Sequence, residues 1–275
     1  MLVHPWFSIS SLTPQVATLS GDSTPIPRLF AIGEPGHSEE VFSFLLVGEE
    51  RGILVDLGMG LFPIKQVVEQ IAIVDGQTLP VQVLNTHADF DHVGGNSAFD
   101  EIALLDHPIS RRIASDGYLS NDLAEWVKDD QFRGRPPEGI AHPYQITSFP
   151  HATFFADGER LVDATFDITA IHTPGHTDDS VSFFERNNGW LFVGDLIYSG
   201  PIYLQKEGGL AKYRRSLERL LELTGVTQLC CSHTRSREPV SVLQEVYEGV
   251  IRIGGKELVE EVVVGEGIWL VPVDG

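Results

Sequence analysis

The chain has 275 residues, 42% of them hydrophobic, and a mean hydropathy of +0.00, so it can bury a sizeable core and sits near the upper limit for one compact domain. Its 19 Lys and Arg stand against 39 Asp and Glu, a net charge of −20, and no stretch gathers the basic residues into a footprint. Nucleic acid and anionic membrane are therefore not the expected partners, although Lys212, Arg214 and Arg215 could receive one small anion.

The N-terminus, Met1-Leu2-Val3-His4-Pro5-Trp6, lacks a basic start followed by an apolar run, and no segment approaches the roughly 20 apolar residues of a membrane span. A cytoplasmic location is the expectation. Apolar runs at 41–47 and 53–57, separated by the turn-like 48–52, predict a hairpin. Pro63 then opens a helix in which Ile64, Val67, Val68 and Ile71 recur at helical spacing until Asp75-Gly76. A strand at 81–84 delivers the chain to Thr86-His87-Ala88-Asp89-Phe90-Asp91-His92, after which Gly94-Gly95 is expected to let the backbone turn tightly.

A strand at 102–105 follows, and His107-Pro108 opens another helix. From about 115 to 150, Gly, Pro and charge mix with Trp126, Phe132, Tyr144 and Phe149, predicting an inserted, partly helical segment. It reads as a cap over the site or as a surface excursion with its own apolar cluster. The second half offers strands at 166–171, 180–184 and 190–193, a helix from 210 to 223, a strand at 228–231, a helix at 240–253 and a final hairpin at 262–271. Cys230 and Cys231, the only cysteines, are adjacent in a strand whose successive side chains point to opposite faces, which disfavours a disulfide and is compatible with a reducing compartment. Strands followed by helices in both halves predict a single α/β domain of two packed sheets with helices outside.

His87, Asp89, Asp91 and His92 supply four metal-ligating groups within one loop, and His176, Asp195 and His233 each follow an apolar strand downstream. Histidines and carboxylates in that density match the ligand chemistry of zinc and related ions. The chain resembles the metallo-β-lactamase-fold superfamily, particularly its glyoxalase II-like and lactonase-like hydrolases. The resemblance rests on Val55-Asp56-Leu57-Gly58, the stretch 86–95, His172-Thr173-Pro174-Gly175-His176-Thr177, Gly194-Asp195 and Ser232-His233, in the family's order over most of the chain.

That resemblance implies a four-layer αββα sandwich of two mixed sheets with outer helices. It also implies two divalent ions, zinc first, the first held by His87, Asp89 and His176 and the second by Asp91, His92 and His233, with Asp195 between them. Asp56 would orient ligands from beneath through hydrogen bonds. His172 fits a similar supporting role, or is an ordinary strand-end histidine. The usual pattern of the family is His-x-His-x-Asp-His, and this chain carries Asp89 at the second position. An extra carboxylate lowers the charge of the centre by one unit and should make the metal pair a weaker Lewis acid. Being a harder ligand than imidazole, it adds manganese and iron to zinc as expected metals, with a one-metal site as the alternative.

The reaction implied is attack on an ester-like bond by a hydroxide held between the metals, with Asp91 accepting a hydrogen bond from the water and Tyr198 or Tyr203 supporting the oxyanion. Lys212 and Tyr213 fall where glyoxalase II-like enzymes meet the anionic part of a thioester, while Arg215 and the Arg214/Glu218 pair read as a solvated helix face. A thioester is the first substrate class, a lactone or other carboxylic ester the second. The competing class is an oxygen-dependent persulfide enzyme with one iron. The expected partner is a small molecule, and the apolar C-terminal hairpin is available to a homo-oligomer interface.

Overall fold

The computed structural model describes residues 4–13, 27–254 and 257–274; residues 1–3 of the N-terminal segment lie outside the described residues. The first half comprises β1 (Ser8–Ser11), β2 (Arg28–Gly33), β3 (Phe42–Val47), β4 (Gly52–Val55), α1 (Ile64–Ile71), β5 (Ile73–Val74), β6 (Gln77–Thr78), β7 (Val81–Leu84), α2 (Phe90–Val93), β8 (Glu101–Leu105), α3 (Pro108–Asp116), α4 (Ser120–Leu123) and β9 (Thr153–Phe155). The second comprises β10 (Arg160–Val162), β11 (Asp167–His172), β12 (Val181–Glu185), β13 (Trp190–Gly194), β14 (Gly200–Gln205), α5 (Gly209–Leu221), β15 (Gln228–Cys231), β16 (Arg237–Glu238), α6 (Ser241–Ile253), β17 (Val262–Gly265) and β18 (Ile268–Val273).

One sheet runs β1-β2-β3-β4-β7-β8-β9, antiparallel through β4 and parallel from β4 onward. The other runs β10-β11-β12-β13-β15-β16, antiparallel except where β13 lies parallel to β15. Their facing sides share one apolar layer, in which Phe44, Val55, Leu84 and Ala103 meet Ile168, Phe183, Phe192 and Cys230. On the far side of the first sheet pack α1 and α3, and on the far side of the second pack α5 and α6. Covered on both faces, the central strands lose polar alternation: β4, β12 and β13 are buried along their whole length. The expected four layers of two mixed sheets with outer helices are present.

Cys230 enters the layer between the sheets and Cys231 the layer under the helices, each a free thiol, as alternation along β15 requires. The strand β14 went unread in the sequence because Pro201 interrupts it. It lies at the edge of a three-stranded sheet, β14-β18-β17, where a missing N–H is tolerated. The C-terminal hairpin sends Val264, Ile268 and Leu270 into the core beside α6.

The segment 115–150 consists of α4, two 3-10 turns and irregular chain. It has no apolar cluster of its own: Phe132, Tyr144, Ile146 and Phe149 join the core beneath α1 and α3. Gly94 and Gly95 form the expected turn between α2 and a 3-10 turn, without left-handed backbone. Gly94 has a right-handed helical φ of −55° and Gly95 has −93°, so neither supplies a left-handed turn. What Gly94 supplies is room, because a Cβ there would stand 2.2 Å from the Met59 carbonyl carbon. Among the described residues no helix is long and apolar enough to cross a membrane.

Candidate metal centre

Asp56 follows β4, Thr86 and the histidine loop follow β7, His176 follows β11, Asp195 follows β13 and His233 follows β15. Because β4 is parallel to β7 and β13 to β15, these strand ends share one rim of the sandwich. Asp56 itself has a φ of +58°, a strained setting for a residue with a side chain. Its carboxylate binds across that bend: Oδ1 accepts the Thr86 N–H at 2.8 Å, and Oδ2 accepts the Thr86 hydroxyl at 2.7 Å and His92 Nδ1 at 2.9 Å.

Each of the four histidines has its Nδ1 engaged. The Thr86 hydroxyl, having donated to Asp56, accepts from His87 Nδ1 at 3.0 Å. His92 donates to Asp56, His176 donates to the Tyr203 carbonyl at 3.0 Å, and His233 donates to the Glu39 carbonyl at 2.6 Å. With one proton fixed on Nδ1, each ring in its neutral form offers the Nε2 lone pair. Those four lone pairs converge with the carboxylates. Asp195 Oδ1 lies 3.3 Å from His92 Nε2, its Oδ2 lies 3.1 Å from His233 Nε2 and 3.6 Å from His176 Nε2, and Asp91 Oδ2 lies 3.5 Å from His233 Nε2.

His87 Nε2, His92 Nε2 and Asp195 Oδ1 are buried with no hydrogen-bond partner. Unpaired buried polar atoms are costly, and three pointed into one centre are the donor set that a cation satisfies. Two groups have mutually close ligand atoms, His87 with His176 and Asp195, and Asp91 with His92 and His233. The electrostatics agree. Burial alone would lower the histidine pKa values, but Asp195, Asp91 and Asp56 drive His92 well up, Asp89 and Asp195 raise His176 to about 9, and Asp195 and Asp91 raise His233 to about 9. Burial opposes ionisation of Asp195 too, yet His233 and His92 hold it well below the usual carboxylate range. The centre thus favours positive charge, and a metal would exchange with these protons.

Asp89 is the N-cap of α2, where an Asp ordinarily accepts a backbone N–H, yet its side chain makes no capping bond. Its Oδ2 instead reaches 3.2 Å from His176 Nε2 and 3.5 Å from His87 Nε2, and these two rings keep its carboxyl ionised against burial. The residue that breaks the usual pattern therefore faces the centre.

Other expected site residues sit differently. Tyr198 stacks its ring 5.0 Å from that of His233, and its hydroxyl donates to the Pro201 carbonyl, so as placed it has no free proton for an oxyanion. Tyr203 contributes its carbonyl to His176 and leaves its side chain half exposed. His172 braces the loop carrying His176 through the Asp178 carbonyl, at 2.8 Å, rather than touching His176. Lys212 is paired with Asp178 at 2.5 Å. Tyr213 is a correction: it is wholly buried on the inner face of α5 with Leu210, Leu217 and Leu220, its hydroxyl donates to the Leu196 carbonyl, and it cannot meet a substrate.

Two supporting residues escaped the sequence. Buried Asp179 accepts the Ala88 N–H at 3.2 Å and the Ser110 hydroxyl at 2.9 Å, lacing the His176 loop to the His87 loop. Glu39 holds His233 through its backbone, which no side-chain pattern reveals. Its carboxyl, desolvated and beside Asp91, is raised to about 7.

The sequence profile of the metallo-beta-lactamase superfamily matches residues 39–233, well over half of the chain and the whole span that carries the centre. The chain belongs to the metallo-beta-lactamase superfamily. It is 26% identical over 186 residues to a chicken (Gallus gallus) protein named acyl-coenzyme A thioesterase MBLAC2, covering 66% of each. It is 29% identical over 163 residues to the hydroxyacylglutathione hydrolase of Erwinia tasmaniensis, covering 59% of this chain and 51% of that one. The chain thus spans about two thirds of the first relative and half of the second. A metallo-beta-lactamase family protein from Thermus thermophilus shares the fold, with a TM-score of 0.59 at 22% identity over 80% of this chain and 78% of that one.

Proposed function

We propose that this superfamily member is a two-metal hydrolase of small thioesters. The observation that carries the reading is the convergence of four Nε2 atoms, each histidine fixed through Nδ1, on Asp89, Asp91 and Asp195, with His87 Nε2, His92 Nε2 and Asp195 Oδ1 buried and unpartnered. His87, His176 and Asp89 would hold one ion, Asp91, His92 and His233 the other, and Asp195, whose two oxygens face both groups, would serve each. Bound divalent ions would supply Lewis acidity and make water nucleophilic near neutral pH. Zinc suits the four imidazoles, and the carboxylate at Asp89 widens the choice to manganese or iron.

Asp91 lies at the centre with one oxygen turned to His233, and its carboxylate would accept a hydrogen bond from an attacking water. Asp56 and the backbone carbonyls of Glu39 and Tyr203 keep the rings from turning. The thioester preference draws support from the two named relatives, which act on acyl-coenzyme A and hydroxyacylglutathione. A small-molecule partner follows from that substrate class, and a cytoplasmic location belongs to the same proposal. The segment 115–150 would cap the centre, since the Tyr118 hydroxyl donates to the Ala88 carbonyl at 2.9 Å and Trp126 stacks on Phe90 at 4.7 Å.

The test is metal analysis of purified protein together with anaerobic turnover of acyl-coenzyme A, acylglutathione, lactone and carboxylic ester substrates. Two ions per chain and a thioester kcat/KM exceeding the others by tenfold or more are expected. Turnover confined to lactones would move the substrate class, and a single iron with oxygen consumption would overturn the hydrolase reading.

A further inference from the structure

His37 lies outside every metal-ligand pattern in the sequence, yet it is fully buried, and both of its ring nitrogens are engaged. Its Nε2 is 2.8 Å from the Trp126 carbonyl, which can only accept, so Nε2 carries the proton. Nδ1 is then the acceptor for the Glu39 N–H at 3.2 Å. The carbonyl of that same Glu39 receives His233 Nδ1 at 2.6 Å. A run of contacts therefore leads from Trp126 through the His37 ring to the Glu39 N–H and, across the Glu39 Cα, from the Glu39 carbonyl to His233; the His37 backbone carbonyl also accepts the Glu40 N–H at 3.3 Å.

This run is the inner part of a broader seam. Ser38 N–H donates to the Gln131 carbonyl at 2.8 Å, Arg133 N–H donates to the Gly36 carbonyl at 2.9 Å, and the Phe132 ring stands edge-on to His37 at 5.4 Å. The stretch 36–40, whose Glu39 carbonyl holds His233, is thus braced along this seam by residues 126–133. Only His37 crosses the seam with a buried side chain bonded at both ends.

We infer that His37 is a positioning residue that couples the segment 115–150 to His233, and so sets ion binding in the Asp91–His92–His233 half of the centre. The inference rests on the metal-centre reading. Hydrogen-bond partners of a ligand histidine fix its aim, and their loss lowers metal affinity about 10–100-fold. Here the immediate partner is a peptide carbonyl, which substitution at Glu39 cannot remove, and His37 is the side chain that holds the N–H of the same residue, one Cα away from that carbonyl. The other half of the centre, anchored by Thr86, Tyr203 and Asp179, has no bond to His37.

The test is metal affinity by chelator competition, resolved into tighter and weaker sites, for wild type, His37→Gln and His37→Asn, with thermal melts of the metal-free proteins. Gln can keep the donor to Trp126 while losing the acceptor for Glu39, and Asn can do the reverse. Expected is a fold loss of about 10–100 at one site with the other unchanged, in variants that still melt cooperatively. Wild-type affinity at both sites, or an equal fall at both that follows lowered stability, overturns the inference. A wild type that binds no metal would overturn the metal-centre reading itself, and that result is visible before any variant is made. Should His37→Asn fail to fold, His37→Gln decides alone.

Discussion

Asp56 Oδ2 accepts the Nδ1 proton of His92 at 2.9 Å, with both side chains shut away from solvent. Removing the carboxylate by Asp56→Ala would strand His92 and the Thr86 amide and hydroxyl, and would leave alanine at a φ of +58°. A loss of about 3 kcal/mol or more is expected in a urea melt. Asn tolerates that φ and keeps one acceptor, so Asp56→Asn should fold while binding metal about 10–100-fold more weakly by chelator competition. Wild-type affinity in that variant would show that Asp56 does not aim His92.

Asp89→Ala should reduce the metal content from two ions to one, because its carboxylate faces both His87 and His176. Asp89→His should keep two ions and raise kcat, since a neutral ligand leaves the metals more electrophilic. Elemental analysis and steady-state kinetics check both, and unchanged content in the Ala variant would remove Asp89 from the ligand set.

The metal-free protein should lose stability as pH rises. His176 and His233 have pKa values raised from 6.5 to about 9, so their contribution is complete below about 6.5 and vanishes as pH climbs through 9. Asp195 is shifted down, so its contribution is present above about 4 and is lost as pH falls through the lower folded value. Stability should therefore be greatest between about 4 and 6.5. Added metal, which displaces the histidine protons, should raise Tm more at pH 9 than at pH 6. A metal-free Tm that stays flat from pH 6.5 to 9 would contradict this.

Tyr213→Phe should cost about 1 kcal/mol from the lost bond to the Leu196 carbonyl and leave KM unchanged. Lys212→Ala, which breaks a partly exposed pair with Asp178, should cost less than about 1 kcal/mol. A tenfold rise in KM for an anionic thioester in the Tyr213 variant would return that residue to the substrate site.

Gly94→Ala forces a methyl against the Met59–Gly60 backbone immediately after the ligand loop. A loss of about 1–3 kcal/mol or more is expected by chemical denaturation, with metal binding weakened in parallel because α2 carries Asp91 and His92. An alanine variant as stable as wild type would show that the backbones separate freely.

The strands that stand out as apolar runs were legible, as in Val81–Leu84 and Gln228–Cys231, whereas others, such as Arg28–Gly33, Thr153–Phe155 and Arg160–Val162, went unread. The edge strand carrying Pro201 was hidden, since a proline is acceptable there only on account of neighbours distant in the chain. Helical periodicity marked Leu217 and Leu220 as buried on α5, but Tyr213 was assigned to a substrate by its place near the helix start, although it shares their face.

By itself the sequence marked which groups could hold metal, because histidines and aspartates recur after successive apolar strands. It also located the one departure, Asp89. Only the tertiary structure decided how those groups are aimed. Each Nδ1 proton goes to an acceptor on another stretch of chain or on a neighbouring residue, namely Thr86, Asp56, and the carbonyls of Tyr203 and Glu39. Backbone carbonyls carry no residue identity, so their contribution appears only when folding brings residues 39 and 203 beside residues 233 and 176.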